Sequence, residues 1–310
     1  MTKVFIDGSV GTTGLRIKER LENRKDIELI SLPNELRKDI HERKRAINSS
    51  DITFLCLPDS AAIEAVSLAE NSDTVIIDAS TAHRTNPHWA YGFPELSAGF
   101  SDRIKNSKRI ANPGCHASGF IALVYPLIKE GILPCNARLT CHSITGYSGG
   151  GKSMIAEYEN ECREKLLDAP RQYGLSQTHK HLPEMQKITN LKTPPIFCPI
   201  VSAFYSGMEV TVPLFADDLS EGKSAEDIKE VYKALYKGDV VRYSEEAAEG
   251  SFLSVGAFSG KDSMEISVHG NNERILLTAR YDNLGKGASG AAVECMNIII
   301  GAESTEGLEI

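Results

Sequence analysis

Short apolar runs rich in β-branched residues alternate with segments of helical spacing in the first third of the chain. The runs lie at residues 3–7, 27–31, 51–57 and 74–78, and helical spacing is clearest at 15–23 and 59–70. Strands separated by helices are typical of βαβ units around a parallel sheet, because parallel neighbours need a long crossover connection. The pattern therefore predicts an α/β domain at the start of the chain.

The pattern changes after about residue 135, where apolar runs follow one another without intervening helices. These runs lie at 137–145, 196–204, 207–215, 264–269 and 273–282. Consecutive strands of this kind favour an α+β domain with a mainly antiparallel sheet. A last helical run, SGAAVECMNIIIGA, begins at Ser289 and is expected to pack back on the first domain. We therefore expect one domain at 1–114 with 283–310 returning to it, and a second at 115–282.

The composition is that of a globular protein, and it narrows the classes of function. The 310 residues are 41% hydrophobic and carry a formal charge of -8, which disfavours a general nucleic-acid binder because such a protein needs a basic face. No apolar stretch reaches the ~20 residues of a membrane span, and the opening MTKVFIDGS lacks a signal-peptide pattern, so we expect a cytoplasmic protein with no membrane partner. The seven cysteines are scattered without CxxC spacing, so we expect reduced thiols and no metal site.

The segment KVFIDGSVGTTGLRIKERLEN places three glycines between a predicted strand and a predicted helix. Gly8, Gly11 and Gly14 would allow a tight turn and a close approach of the backbone to a pyrophosphate, while the helix N-terminus offers unpaired N–H groups. An ordinary glycine-rich turn is the alternative. The position of the loop favours a dinucleotide site in a Rossmann-like domain.

The residues after the second predicted strand bear on the choice of dinucleotide. An NAD site usually places an acidic residue there, about 20 residues after the glycine loop, to bind the ribose 2′-hydroxyl. This chain has Ser31, Leu32 and Pro33 in that place, followed by Arg37 and Lys38. The absence of the acid favours NADP, although the two cations could instead belong to a solvated helix face.

A second glycine loop, GYSGGGKS from Gly146 to Ser153, matches the phosphate-binding pattern GxxxxGK[ST]. It lies between a predicted strand at 137–145 and a predicted helix at 153–167, and TVIID, ending in Asp78, would serve as the magnesium-binding strand. A nucleotide triphosphatase or kinase is therefore one interpretation. The loop lies in the antiparallel part of the chain, however, so we favour a cradle of backbone N–H groups for a substrate phosphoryl group.

Cys115 stands in NPGCHASG, where the chain leaves a strand, turns at Pro113 and Gly114 and enters a helix. A helix N-terminus stabilises a thiolate and lowers a cysteine pKa from its free value of ~8.5, although a buried structural cysteine is the common alternative. A thiolate that forms acyl intermediates also needs a proton-transfer partner, which is most often histidine. His179 and His181 in SQTHKHLPEM are the candidates. Their i, i+2 spacing predicts rings on opposite sides of an extended segment, with one facing the cysteine.

Six motifs in order along the chain resemble a known family. They are GSVGTTG, DASTAHR, NPGCHASG, GYSGGGKS, HKHLPEM and NLGKGASGAA. Together they resemble the N-acetyl-γ-glutamyl-phosphate reductases, most closely their shorter class, within the wider semialdehyde dehydrogenase family. The likeness runs from about residue 3 to residue 301. No single motif is decisive, but six in register are highly specific.

The resemblance implies roles for individual residues. Cys115 matches the family nucleophile, and His179 matches the acid/base, with His181 as the less favoured candidate near the substrate. The positions that match the cofactor site are Gly8, Ser9, Val10, Gly11, Thr12, Thr13, Gly14, Ser31, Asn283 and Lys286. The positions expected to face the substrate or its phosphate are Ser80, Arg84, Asn112, Ser148 and Lys152, and Asn112 is also expected to hold the developing oxyanion.

The resemblance also implies a reaction and an assembly. The expected activity is NADPH-dependent reduction of N-acetyl-γ-glutamyl phosphate to N-acetylglutamate 5-semialdehyde and phosphate through a cysteine thioester, a step of arginine biosynthesis. The alternatives are reduction of another acyl phosphate such as aspartyl phosphate, a non-catalytic NADP-binding regulator, and the triphosphatase or kinase. Members of the family are homo-oligomers, so we expect a dimer or tetramer that forms through the antiparallel sheet.

Overall fold

The structure is a computed structural model that describes all 310 residues, and it divides into two compact units. The first unit contains Met1–Gly114 and Ala288–Glu309, and the second contains Cys115–Gly287 with Ile310. The strands are β1 (Thr2–Asp7), β2 (Ile27–Ile30), β3 (Ile52–Leu55), β4 (Val75–Asp78), β5 (Ala90–Tyr91), β6 (Arg109–Ala111), β7 (Thr140–Gly146), β8 (Arg171–Gln172), β9 (Ile196–Ser202), β10 (Met208–Phe215), β11 (Val241–Tyr243), β12 (Met264–Gly270) and β13 (Arg274–Tyr281). The helices are α1 (Thr12–Leu21), α2 (Ile40–Ser49), α3 (Asp59–Leu68), α4 (Ala98–Lys105), α5 (Cys115–Lys129), α6 (Gly151–Glu159), α7 (Leu182–Thr189), α8 (Ala225–Leu235) and α9 (Gly290–Ile300).

The first unit is built on a six-stranded sheet in the order β2-β1-β3-β4-β6-β5, and every neighbouring pair is parallel. Its strands are mostly apolar, as expected when both faces of a sheet are covered. On one face Val4 and Ile77 pack in a cluster with Val293 of α9, and on the other Phe5 packs in a cluster with Ala46 of α2. This confirms the Rossmann-like α/β prediction.

The second unit is built on a seven-stranded mixed sheet in the order β11-β12-β13-β10-β7-β9-β8. Four of its neighbouring pairs are antiparallel, and two, β7 with β9 and β11 with β12, are parallel. In β10 the residues Met208, Val210, Val212 and Leu214 are buried and alternate with less buried ones, as expected when one face of a sheet is covered. The mainly antiparallel α+β prediction is confirmed.

Some element boundaries differ from the sequence-based prediction. The helix expected at 153–167 ends at Glu159, because Asn160 turns to an extended conformation with ψ 125° and a turn follows. The strand expected at 137–145 lies at Thr140–Gly146. The seven cysteines are all free, and no helix is both long and apolar enough to cross a membrane.

Candidate active site

The first glycine loop joins β1 to α1 through a turn that only glycine fits. Gly8 has φ +90°, and a Cβ there would lie 2.3 Å from the Cys56 carbonyl oxygen. A Cβ on Gly14 would lie 2.4 Å from the Gly8 carbonyl oxygen, so the first turn of α1 packs directly on the loop. Bare backbone is therefore required here. The loop leads into the N-terminus of a helix, which is the arrangement that binds a pyrophosphate.

A cavity of about 630 Å³ opens beside this loop. Its lining includes Ser31 after β2, where no acidic residue stands, together with the cations Lys18, Arg37 and Lys38. None of these three cations forms an ion pair within the protein. Their positive charge is therefore available to an anionic group of a ligand.

Two residues that line the cavity, Asp7 and Arg43, belong to an ion-pair network. The Arg43 guanidinium donates to Asp7 at 2.9 Å and to Glu64 at 2.7 Å, and Arg43 Nη2 has no partner. Burial raises the pKa of Asp7, and the Arg43 charge opposes that rise. Two carboxylates already neutralise Arg43, so the cations at Lys18, Arg37 and Lys38 are the better ligands for a phosphate.

The DASTAHR motif forms a buried cluster at the end of β4. Asp78 accepts hydrogen bonds from the Ser80 hydroxyl at 2.7 Å and from His83 Nδ1 at 2.6 Å. Arg84 donates to the carbonyl oxygens of Asn112 and Ala79, at 2.9 and 3.0 Å. In this structure Ser80 and Arg84 therefore hold the motif together within the first unit.

Asn112 is buried, with 1% of its surface exposed. Its Nδ2 donates to the Ala288 carbonyl oxygen at 2.9 Å, whereas its Oδ1 has no partner. The unpartnered atom is an acceptor, and an acceptor does not stabilise an oxyanion. The second hydrogen of Nδ2 is still a donor, so the oxyanion role expected of Asn112 stays a prediction.

The first backbone N–H groups of the second glycine loop donate hydrogen bonds within the protein. The amides of Gly146, Tyr147 and Ser148 donate to carbonyl oxygens of the 204–207 segment at 2.9 to 3.0 Å. The Ser148 side chain is buried and accepts a hydrogen bond from Asn283 Nδ2 at 2.9 Å. A triphosphate needs these amides free, so the geometry disfavours the triphosphatase interpretation.

The later residues of that loop and the late NLGKG turn differ in exposure. Lys152 is exposed, whereas Asn283 and Lys286 are buried. Asn283 Oδ1 accepts from the amide of Gly207 at 3.0 Å, so both ends of its side chain are bound inside the second unit. Lys152 is therefore the residue of this region whose charge is open to an anion.

Cys115 is the first residue of α5, where helix N–H groups favour a negatively charged sulfur. Tyr281 of β13 supports this first turn. Its hydroxyl accepts from the Gly119 amide at 3.0 Å and donates to the Cys115 carbonyl oxygen at 2.6 Å. Gly119 must be glycine, because a Cβ there would lie 2.6 Å from the Tyr281 hydroxyl and from a methyl group of Val210.

His179 and His181 gather around His116, the residue that follows Cys115 in the chain. The ring centroids of His179 and His181 lie 5.7 and 5.5 Å from that of His116, and 4.7 Å from each other. The prediction that the two HKH rings point to opposite sides was wrong. The segment is a turn that leads into α7, with helical angles at His181, so both rings face the same cluster.

The hydrogen bonds of this cluster set the positions of its protons. His179 Nδ1 accepts from the backbone amide of His181 at 3.2 Å, so a neutral His179 carries its proton on Nε2. Burial, and then the nearby His179, lower the pKa of His116 to about 3, so His116 is neutral at any physiological pH. The Nε2–H group of a neutral His179 is therefore a hydrogen-bond donor, and His116 is a fixed neutral ring.

Two family profiles match this chain. One, the semialdehyde dehydrogenase NAD binding domain, matches residues 3–106, and the other, the semialdehyde dehydrogenase dimerisation domain, matches residues 115–283. The chain belongs to the semialdehyde dehydrogenase family. Cys115, the first residue of the second profile, is thus also the first residue of the second compact unit.

Relatives within the semialdehyde dehydrogenase family share one name. A protein of Nostoc sp. called N-acetyl-gamma-glutamyl-phosphate reductase 2 is 44% identical, with 99% of each chain covered. An N-acetyl-gamma-glutamyl-phosphate reductase of Rhizobium etli is 45% identical over 96% of this chain and 98% of its own. The chain therefore belongs with the N-acetyl-γ-glutamyl-phosphate reductases of the family.

Solved structures of the family share the fold at much lower sequence identity. Aspartate semialdehyde dehydrogenase II of Vibrio cholerae superposes with a TM-score of 0.73 at 18% identity, covering 97% of this chain and 98% of that one. Aspartate semialdehyde dehydrogenase of Candida albicans, solved with NADP, gives 0.68 at 15% identity, covering 97% and 99%. At such identities the likeness establishes the fold alone.

Several residues of this candidate site were not predicted from the sequence. They are His116, which touches both candidate histidines, and its hydrogen-bond partners Ser143 and Tyr173. His116 directly follows the nucleophile in NPGCHASG, and that adjacency was a usable signal. Ser143 and Tyr173 carry no local signal, because their roles depend on the pairing of strands far apart in sequence.

Proposed function

We propose that the protein reduces N-acetyl-γ-glutamyl phosphate to N-acetylglutamate 5-semialdehyde and inorganic phosphate, with NADPH as the reductant. The observation that carries the proposal is Cys115 at the N-terminus of α5 beside the His116, His179 and His181 cluster. It occurs in a chain about 44% identical, end to end, to proteins named for that reaction.

The cofactor site fits NADP better than NAD. The glycine loop provides the pyrophosphate turn, and Ser31 leaves room where an NAD site would carry an acid. The unpaired Lys18, Arg37 and Lys38 offer charge to a 2′-phosphate. NADPH, when bound, supplies the hydride that takes an acyl group to the aldehyde level. The first unit is accordingly the NADP-binding domain, and the second the catalytic and oligomerisation domain.

Cys115 performs the covalent chemistry. Its thiolate attacks the γ-carbonyl carbon, a C–S bond forms, the bond from that carbon to the phosphate oxygen breaks, and inorganic phosphate leaves. After reduction of the thioester the C–S bond breaks again and the aldehyde is released. Amides of the first turn of α5 stabilise the oxyanion, at roughly 3 kcal/mol for each donor. Exposed Lys152 is the cation that we assign to the phosphate.

His179 performs the proton transfer. The ring takes up the thiol proton as the Cys115 thiolate forms, and the resulting imidazolium returns a proton to the sulfur when the thiohemiacetal collapses and the C–S bond breaks. The His181 amide, which donates to Nδ1, holds the neutral ring in place. His116 stays neutral and does not compete for that proton. We assign His179 as the acid/base and His181 as a substrate-facing neighbour.

We also infer that the protein works as a homo-oligomer, a dimer or tetramer that uses the seven-stranded sheet. The second profile is a dimerisation domain, and one face of this sheet carries the partly exposed Ile196, Phe215 and Leu276. Light scattering of the purified protein measures the number of copies.

A reverse assay tests the proposed reaction. The protein is mixed with NADP, phosphate and N-acetylglutamate 5-semialdehyde, and formation of reduced nicotinamide is followed. A parallel sample receives aspartate semialdehyde instead. Reduction of NADP with the first aldehyde and not the second supports the proposal. Turnover of aspartate semialdehyde alone would make the protein an aspartyl phosphate reductase, and ATP hydrolysis without either signal would point to the second glycine loop.

A further inference from the structure

Two buried tyrosines from other elements, Tyr232 of α8 and Tyr281 of β13, donate hydrogen bonds to backbone carbonyl groups of α5. Neither side chain has any exposed surface. Tyr232 donates to the Leu123 carbonyl oxygen at 2.5 Å, in the middle of the helix. Tyr281 donates to the Cys115 carbonyl oxygen at 2.6 Å and also accepts from the Gly119 amide at 3.0 Å. Tyr281 is therefore bonded to the backbone of the candidate nucleophile itself.

Both hydrogen bonds of Tyr281 have a fixed direction. A backbone carbonyl oxygen only accepts and a backbone N–H only donates, so the phenol proton points to Cys115 and an oxygen lone pair to Gly119. Burial raises the pKa of the phenol well above its usual value, so the proton stays on the oxygen at neutral pH. The Cys115 carbonyl oxygen thus holds a permanent donor from β13.

The Cys115 carbonyl group and the His116 N–H belong to one peptide unit. This N–H lies in the first turn of α5 and has no hydrogen-bond partner within the protein. A donor on the oxygen of a peptide unit polarises it, and a polarised unit is a stronger donor through its N–H. Because His116 directly follows Cys115, this free N–H adjoins the cysteine side chain. Tyr281 therefore strengthens a free donor next to the nucleophile.

The backbone of Gly287 restricts the same cysteine. A Cβ at Gly287 would lie 3.0 Å from the Cys115 Cβ and 3.4 Å from its Cα, so a side chain there would have to displace the cysteine. The Gly287 amide donates to the carbonyl oxygen of Asp282, the residue after Tyr281, at 3.0 Å. The segment from Tyr281 to Gly287 thus meets Cys115 at two points, its carbonyl oxygen and its Cβ.

We propose that Tyr281 is a positioning residue for the reaction and acts through the backbone of Cys115. Its hydroxyl fixes and polarises the peptide unit between Cys115 and His116. That unit stabilises negative charge on the sulfur before attack and again as the C–S bond breaks. The phenol is fully buried and keeps its proton throughout. The inference rests on the proposed function only in taking Cys115 as the nucleophile.

The test compares Tyr281→Phe with Tyr232→Phe as the matched control. Each variant removes a fully buried hydroxyl that donates to a carbonyl oxygen of α5, so both should lose folding stability, but only Tyr281→Phe alters the peptide unit of Cys115. Cys115 is alkylated by iodoacetamide as a function of pH, with neither substrate nor cofactor present. Mass spectrometry separates its peptide from those of the other cysteines. The alkylation midpoint of Tyr281→Phe should rise by about half a pH unit, and that of Tyr232→Phe should equal the wild-type value.

Steady-state kinetics with N-acetylglutamate 5-semialdehyde, phosphate and NADP supply a second readout. The kcat of Tyr281→Phe should fall by about three- to tenfold, which corresponds to the loss of one hydrogen bond. The KM of the aldehyde and the dissociation constant of NADP should barely change, because the buried hydroxyl contacts neither ligand. Tyr232→Phe should keep the wild-type kcat.

An unchanged alkylation midpoint in folded Tyr281→Phe, or equal shifts in the two variants, would overturn the inference. If Tyr281→Phe does not fold, 3-fluorotyrosine incorporated at position 281 keeps the shape of the side chain and makes the phenol a stronger donor. The midpoint should then fall below the wild-type value, and no change would again reject the role. A shifted midpoint in a protein that fails the reductase assay would support the role of Tyr281 and sink the proposed function, so the two failures are distinguishable.

Discussion

At the scale of single residues, the chemistry of Cys115 is the first point to test. Cys115→Ser replaces a thiolate by a hydroxyl that stays protonated and attacks an acyl phosphate poorly. We expect reductase turnover to fall by about 1,000-fold or more, measured by oxidation of NADPH. NADPH binding, measured by fluorescence titration, should not change, because the glycine loop lies in the other unit. Substantial residual turnover would remove Cys115 as the nucleophile.

The two histidines of HKH are predicted to differ in importance. His179→Asn removes the ring that exchanges a proton with the Cys115 sulfur, so turnover should fall by ~100-fold or more. His181→Asn should be milder and should act mainly on the Michaelis constant of the acyl phosphate. Steady-state kinetics of both variants check this, and the reverse ranking would transfer the acid/base role to His181.

The unpaired cations of the cofactor cavity make a prediction about selectivity. A double variant, Arg37→Ser with Lys38→Ser, should raise the dissociation constant of NADPH by about tenfold or more, because each charged hydrogen bond is worth more than 1 kcal/mol. The dissociation constant of NADH should barely change, which makes it the internal control. Equal weakening of both cofactors would place the 2′-phosphate elsewhere.

The sequence placed residues correctly where their position depends on local geometry. The glycine loop and Cys115 each lie where a strand turns into a helix, and that arrangement is visible within a few residues. His116 was missed because its partners Ser143 and Tyr173 stand 27 and 57 positions away. Only the fold brings those hydroxyls to one ring.

At the scale of elements, the first turn of helix α5 depends on a hydroxyl group from strand β13. The Tyr281 hydroxyl bridges the Gly119 amide and the Cys115 carbonyl oxygen, which a regular helix would join directly. Gly119→Ala would force a methyl group against that hydroxyl and against Val210. We expect a loss of about 1 to 3 kcal/mol in the free energy of unfolding, measured by urea denaturation.

Gly99→Ala is the matched control for that substitution. Gly99 also lies in a helix, α4, but a Cβ there meets only the Ser97 hydroxyl at 3.7 Å. Alanine favours helices over glycine by roughly 1 kcal/mol, so Gly99→Ala should be neutral or stabilising. Equal losses in the two variants would show that the Tyr281 contact is not what makes Gly119 necessary.

Strands were easier to predict than helices because burial on two faces leaves long apolar runs. The helices α2 and α8 were not anticipated because they are mostly polar. The N-termini of these two helices nevertheless have capping residues that could have been recognised in the sequence. Asp39 caps α2, and Ser224 with Asp227 forms a capping box on α8. The turn that contains His179 and His181 could not be predicted from their spacing, because two histidines at i and i+2 occur in turns and in extended segments alike.

At the scale of the whole molecule, buried His116 should make folding stability depend on pH. Its pKa is about 3 in the folded protein and near 6.5 in the unfolded chain, so the unfolded chain binds a proton that the folded one excludes. This contribution is complete above pH 6.5 and is lost as the pH falls towards 3. Between pH 7 and pH 5 the free energy of unfolding should drop by about 2 kcal/mol from this group.

Denaturation by urea at several pH values measures that drop. His116→Gln cannot take up a proton, so the difference in slope between it and the wild type isolates this ring from the other seven histidines. Identical slopes in the two proteins would mean that His116 is charged in the folded state, or that it titrates alike in both states.

The first unit needs both ends of the chain, so its folding depends on the order in which the chain is synthesised. Ala292, Val293 and Met296 of α9 complete the same apolar cluster as Val4 and Ile6 of β1. The ribosome makes β1 at the start and α9 near the end, whereas the second unit is almost one continuous segment. During translation the second unit can therefore close its core while one apolar face of the first sheet is covered only in part, by α1 and α4. The part of the protein that is begun first is finished last, and a ribosome that stalls after Gly287 would release a sheet prone to aggregate.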